Sequence, residues 1–436
     1  MKLLLIAPAA PELTHSKGKR VHTLSLAVIA ALATPYFDDI RIVEEEFEPV
    51  DRNEHADLVG ITMMTCQATR GYQLADDFRA RGIPTICGGS HPSFMVEECG
   101  AHFDAVAVDE VESVWPLLMR DFMNGMLSPV YRGEQLFDLA DTPIPRKDLF
   151  GSSPSTFNAQ VLQATRGCPL GCDFCTVTQL YGGKFRARPV EHVVEEIRRF
   201  PSKIFFFVDD NIFFSRQYAH ELFEALVPLG IKWGSQASLD LATRDKDLLR
   251  LAVRSGCSSL FVGIESLDQD TLDQSHKRFN KVAVYEQQIR TLQRHGVSVA
   301  GAFMFGFERD TKETWDRVYH FARRTGLMML NTGILTLFPG TPFYERIVAE
   351  GRIVDRDWEH YTGSNLVWRH PALSKEDFDV LDVVFRRRVY SLRSIAWRLR
   401  ANWRHPLLYL VMNYTHWWRA YIRDTPGRPA SEVLSA

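Results

Sequence analysis

No apolar run reaches the length of about 18 residues that marks a membrane-spanning helix. The opening apolar stretch is stopped by Pro8, too early for a secretory signal. These two lacks lead us to expect a cytoplasmic protein. A basic excess is also missing: the net charge of -3 argues against a dedicated nucleic-acid binder. Cysteine is scarce, with 7 in 436 residues. Cys66, Cys87, Cys99 and Cys257 are scattered and read as core thiols. The other three, Cys168, Cys172 and Cys175, fall in one C-x3-C-x2-C segment. No second C-x2-C or H-x3-H pair completes the four ligands of structural zinc. The segment also lacks a fourth thiolate, and that shortage is informative: a 4Fe-4S cluster held by three thiolates keeps one iron open to a ligand, whereas four make an electron carrier. Gly167, Pro169 and Gly171 let a short loop fold back and aim three sulfurs at one cluster. The pattern points to catalysis.

What is present fits an enzyme of several domains. At 45% hydrophobic and 24% charged, the chain is long enough for two or three cores. Residues 1 to about 125 alternate short apolar strands (3–6, 40–43, 58–62, 85–87, 105–108) with helical stretches (23–34, 69–81, 111–124), which predicts a parallel, doubly wound α/β sheet of flavodoxin-like topology. Residues 131–155 show little periodicity and read as a linker. From 156 to about 345, strands and helices alternate again: 160–165, 204–208, 232–237, 259–264, 297–305 and 329–337 read as strands. Six such units make a partial (β/α)6 barrel with the cysteine loop after its first strand. A helical region, 346–425, and a disordered tail, 426–436, complete the expected division, with the first domain taken as 1–130.

The cysteine spacing, with Phe174 just before the last cysteine, resembles the radical S-adenosylmethionine (SAM) enzymes. Four further stretches resemble the same family in order: 206–214, 260–266, 301–307 followed by Asp310 and Thr311, and 337–344. The resemblance implies that Cys168, Cys172 and Cys175 hold a 4Fe-4S cluster whose open iron chelates SAM. One electron from an external reductant such as flavodoxin or ferredoxin would then cleave SAM to methionine and a radical that takes hydrogen from an unactivated carbon. It also implies SAM contacts from Gly263 and Glu265. Asp209, Asn211, Gln236 and Ser238, at strand ends, are further cofactor-binding candidates, against a plain turn-forming role. Arg186 and Arg188 are candidates for sensing the SAM carboxylate.

A doubly wound domain placed before such a barrel resembles the cobalamin-binding domain of the class that includes many methylases. The loop 8–19, the segment 62–65 and Gly88, Gly89, Ser90 and His91 sit where that fold would hold the corrin. The D-x-H-x-x-G motif, whose histidine ligates cobalt in the mutases, is absent. Where relatives carry G-E-G-E, this chain has Val108-Asp109-Glu110-Val111-Glu112, which leaves a vestigial domain open as the alternative.

Residues 386–423 hold nine arginines and no acidic residue, with Trp397, Trp403, Trp417 and Trp418 interleaved. Such helices suit an anionic membrane surface, or pack back on the barrel with their arginines in water. The expected function is a cobalamin-dependent C-methyltransferase acting on a small-molecule substrate, lipid-like or otherwise apolar. A non-methylating radical SAM enzyme is the alternative. A scaffold or electron carrier would need a fourth ligand, for which only Cys257 is near.

Overall fold

The computed structural model describes residues 1–11, 21–151 and 159–423. Most of the loop 8–19, the expected barrel start at 156 and the tail 426–436 lie outside the described residues. The chain divides into two compact units: Met1–Asp210 with Thr336–Trp368, and Asn211–Leu335 with the chain from Arg369 onward.

In the first unit, β1 (Lys2–Ala7), β2 (Asp39–Glu44), β3 (Leu58–Thr62), β4 (Thr85–Gly88), β5 (Ala105–Val108) and β6 (Val130–Arg132) form a parallel sheet in the order β2-β1-β3-β4-β5-β6. The first five strands follow flavodoxin-like order. The strands are apolar on both faces because both are covered. Leu3, Leu5, Leu58, Ile86 and Ala107 pack against helices Leu24–Ala33 and Val111–Met123. Leu4, Ile6, Val59, Cys87 and Val106 pack with Tyr72, Ala75 and Phe78 of helix Ala68–Arg79. One strand more is present than the sequence reading counts: β6 is three residues long, with only Tyr131 buried, so it gives no apolar run. Segment 88–92 is also not all loop, since Ser90–Phe94 is a short helix.

The same unit continues with β7 (Gln160–Leu162), the hairpin of β8 (Thr165–Arg166) and β9 (Arg186–Ala187), helix Val190–Arg199 and β10 (Ile204–Phe207), which pairs parallel with β7. The strand expected over 160–165 is therefore two short strands that part company after Leu162. The second unit carries β11 (Lys232–Ala237), β12 (Cys257–Glu265), β13 (Ser298–Phe305) and β14 (Met329–Ile334), paired parallel in that order with helices between. Along the chain, β7, β10 and β11 to β14 give the six-fold strand and helix succession of a partial (β/α)6 barrel. Helices Lys375–Val389, Leu392–Leu399 and Pro406–Trp418 close the second unit. One of their arginines corrects the expectation of arginines in water: Arg398 is buried and donates to the carbonyl oxygens of Leu327 at 3.1 Å and Val389 at 2.9 Å, and to Asn413 Oδ1 at 3.0 Å.

Candidate active site

The three-cysteine loop leaves β8 through Gly167 and enters the short helix Thr176–Leu180. Gly167 has φ +90°, and a Cβ there would collide with the Lys184 carbonyl oxygen, so only glycine makes this turn. Gly171 has φ +71°. Cys168, Cys172, Phe174 and Cys175 are all half-buried, and the Cys175 amide donates to the Cys172 carbonyl at 3.2 Å. Among the described residues no three His, Cys, Asp or Glu side chains converge on a single metal ion. Three half-buried thiols on one glycine-jointed loop suit a cubane, in which each thiolate takes its own iron.

Two carboxylates at the end of β10 fix the start of this loop. Asp209 is wholly buried and accepts from the Thr165 amide at 2.5 Å, the Thr165 hydroxyl at 2.6 Å and the Ala164 amide at 3.2 Å. Burial pushes its carboxyl up to about 7 despite these donors. Asp210 Oδ2 accepts from the Gly167 amide at 2.8 Å. The structure thus gives both side chains loop-anchoring contacts.

Sequence reasoning missed the other anchor. Arg166, directly before Gly167, donates to Glu110 Oε1 at 2.7 Å and to Glu112 Oε1 at 2.9 Å. Glu110 also receives Arg186 through both terminal nitrogens, at 2.8 and 2.9 Å, and the Phe137 amide at 2.9 Å. Burial raises the Glu110 carboxyl, but the bonds from Arg186 and Arg166 outweigh it and hold it below its ordinary value. The available signal was the E-V-E spacing, which puts one carboxylate at the N-cap and one in the first turn of helix Val111–Met123. Arg186 and Arg188, offered as carboxylate sensors, are engaged within the protein, Arg188 with Glu196 at 2.7 Å.

In the second unit the predicted residues form two groups. Asn211 Nδ2 donates to Ser238 Oγ at 3.0 Å, and the Ile212 amide donates to the Gln236 carbonyl at 3.2 Å. At the end of β12, Glu265 has φ +64° and pairs with Lys277 Nζ at 2.6 Å. Gly263 makes room for that pair: a Cβ would collide with Glu265 Oε1 and stand 2.8 Å from Lys277 Nζ. Asn280 Nδ2 donates to the Gly263 carbonyl at 2.9 Å and Tyr285 to the Ile264 carbonyl at 3.1 Å, fixing the strand end.

The N-terminal sheet holds a cavity of about 280 Å³. Gly60, Gly88, Gly89, Ser90 and Ala107 line it along the strand ends, and Trp115 lies on its helix side. A Cβ on Gly60 would stand 2.9 Å from Leu5, so the slot depends on small residues. The buried Trp115 Nε1 has no hydrogen-bond partner among the described residues. A slot with small walls beside an unpartnered buried N–H suits part of a large cofactor such as cobalamin. Glu110, Glu112, Arg166 and Tyr181 line the same cavity, so the anchor of the cysteine loop borders it. His91 is not on its lining. It is buried, 2.8 Å from the Tyr72 hydroxyl, against Trp358, and burial lowers its pKa to about 4.

Residues 162–322 match the profile of the Radical SAM superfamily. The chain is 30% identical over 428 residues to bacteriochlorophyllide d C-12(1)-methyltransferase of Chlorobaculum tepidum, covering 95% of this chain and 93% of that protein. It is 27% identical over 375 residues to the hopanoid C-2 methylase of Rhodopseudomonas palustris, covering 80% and 70%. Among solved structures, the cobalamin-dependent SAM radical enzyme OxsB, with aqua-cobalamin and SAM bound, shares the fold with TM-score 0.71 at 13% identity, over 100% of this chain and 74% of that one. The radical SAM methyltransferase TsrM from Kitasatospora setae, with cobalamin and a 4Fe-4S cluster bound, gives TM-score 0.64 at 16% identity, over 80% and 78%.

Proposed function

The chain belongs to the radical SAM superfamily, and from that premise we propose that it is a cobalamin-dependent C-methyltransferase acting on an apolar substrate such as a tetrapyrrole pigment or a polycyclic lipid. The observation that carries this reading is the cavity of the N-terminal sheet, whose small walls, with the unpartnered Trp115 N–H beside them, argue against a vestigial domain. Similarity over nearly the full length to a bacteriochlorophyllide methyltransferase supports the substrate class.

Cys168, Cys172 and Cys175 would hold the 4Fe-4S cluster, and Gly88, Gly89, Ser90 and Trp115 would border bound cobalamin. When bound, these groups supply the electron that cleaves SAM and the methyl group that is transferred. The protein's own part is placement. Asp209, Asp210 and Arg166 fix the loop on which the thiolates stand, and rigid placement is what confines a radical to one carbon. Glu265, held by Lys277, and the paired Asn211 and Ser238 offer polar groups at strand ends to SAM.

The test is anaerobic reconstitution with iron, sulfide and hydroxocobalamin, then desalting, an absorption spectrum and a reductant-driven assay with a bacteriochlorophyllide. Retained cobalamin with equal 5'-deoxyadenosine, S-adenosylhomocysteine and methylated product is the expected outcome. Deoxyadenosine without retained cobalamin would overturn it. It would favour the second reading, a non-methylating enzyme, which similarity to the anaerobic magnesium-protoporphyrin IX monomethyl ester cyclase of Rubrivivax gelatinosus supports.

A further inference from the structure

We propose that the outward face of the last helices is a docking surface for an anionic lipid membrane. Helix Pro406–Trp418 is apolar on two sides. Its inner side buries Tyr409, beside Ile395, Met328 and Met329. On its outer side Leu407 is 74% exposed, Leu410 47% and Tyr414 62%, with Val411 exposed between them. Positions 407, 410, 411 and 414 follow the i, i+3, i+4, i+7 rule and make one stripe. Trp403, in the turn before this helix, is 67% exposed, and Leu392 and Trp397 are exposed on the preceding helix. A contiguous exposed apolar stripe marks an interaction surface more often than a plain solvated face.

The charges beside the stripe select that partner. Arg393, Arg400 and Arg404 are exposed, and no acidic residue occurs from 386 to 423. The Arg400 guanidinium lies 4.5 Å from the Trp397 ring centre and that of Arg404 5.5 Å from Trp403, so each cation sits with an aromatic of the interfacial kind. Because the whole chain carries -3, this basic character is local. Anionic headgroups complement the arginines while acyl chains take Leu407, Leu410 and Val411. A second copy meeting this face about a two-fold axis would set arginines against arginines. A nucleic acid would leave the aliphatic stripe in water. No described helix is long and apolar enough to cross a membrane, so the contact is one of lying on the surface. It concerns where the enzyme works, so its failure would leave the proposed methylation standing.

The experiment is flotation of the full-length, cluster-loaded protein with vesicles of phosphatidylcholine alone or mixed with phosphatidylglycerol. The protein should float with the anionic vesicles, less so at high salt, and tryptophan emission should shift to the blue. Leu407→Glu with Leu410→Glu should lower the partition coefficient about tenfold while leaving thermal unfolding and iron content unchanged, as exposed positions allow. Replacing Arg393, Arg400 and Arg404 by Glu should abolish the preference for anionic vesicles. No flotation with either vesicle, or flotation indifferent to both sets of substitutions, would overturn the proposal. So would a dimer in light scattering that the Leu407→Glu, Leu410→Glu pair dissolves, since a second copy would then be the occupant.

Discussion

Single side chains explain how a loop of small and reactive residues is held still. Glu110 accepts from two arginines and an amide in a buried setting. Removing it leaves the Arg186 guanidinium without its carboxylate and Arg166 with that of Glu112 alone, a change that costs roughly 3–5 kcal/mol when a buried pair is broken. Glu110→Ala should therefore lower the iron retained after reconstitution and the melting temperature together, whereas Glu112→Ala, which leaves Arg166 its Glu110 bond, should do less of both; iron analysis beside a melting curve measures the contrast. Asp209 gives a pH prediction. Its carboxyl has an ordinary value of 3.8 and stands at about 7 in the folded chain. The folded state thus holds this proton more tightly than the unfolded one, so the contribution to stability is full at low pH and falls as pH rises between those two values, then levels off. Urea unfolding across that range should show this decline, and in Asp209→Asn the decline should be lost. The cysteines were legible in the sequence because three thiols in eight residues have few other uses. Glu110 was not, because its partners Arg166 and Arg186 lie far along the chain and only the fold brings them to it.

Elements account for where the cavity is and why it stays open. The first five strands of the first sheet could be read from their apolar runs because both faces are covered, and helices Leu24–Ala33 and Ala68–Arg79 from the helical stretches that alternate with them. What the runs did not reveal is that small residues fall where β3, β4 and β5 border a helix face, since Gly60 and Ala107 look the same in sequence whether they pack tightly or leave a slot. The short strands β6, β8 and β9 escaped because two or three residues carry no period. Ala107→Leu adds a side chain inside the slot at a fully buried position. It should weaken hydroxocobalamin retention about tenfold or more, because a packed wall has nowhere to move the added volume. The iron content should stay at the wild-type level, which separates filling of the slot from general misfolding. At the end of β12 the same logic gives Gly263→Ala: the added methyl displaces the Glu265–Lys277 pair, so SAM affinity, measured by equilibrium dialysis against the cluster-loaded protein, should fall if Glu265 contacts SAM.

On the scale of the molecule, the N-terminal sheet and the cysteine loop belong to one compact unit. The segment 131–155, read from composition as a linker, contributes to that unit through Lys147. Its side chain is buried, with Nζ 2.5 Å from the Val161 carbonyl of β7 and 2.7 Å from Glu196 Oε1. Glu196 in turn takes Arg188 on its other oxygen at 2.7 Å. Burial holds the Lys147 ammonium below its ordinary value, and Glu196 offsets part of that shift. Composition hides this because a polar segment with three prolines has the look of a tether, and only the tertiary fold shows where one lysine goes. A tether could be altered without consequence for the sheet before it. A strut could not, because Lys147→Ala leaves the Glu196 carboxylate with one cation where it had two, and breaking such a buried pair costs roughly 3–5 kcal/mol. In a urea titration of the reconstituted protein, cobalamin release and cluster bleaching should therefore occur at one common midpoint, and Lys147→Ala should lower both midpoints together. If cobalamin release keeps its midpoint while bleaching alone moves, the sheet unfolds independently of the loop, and the segment is a tether after all.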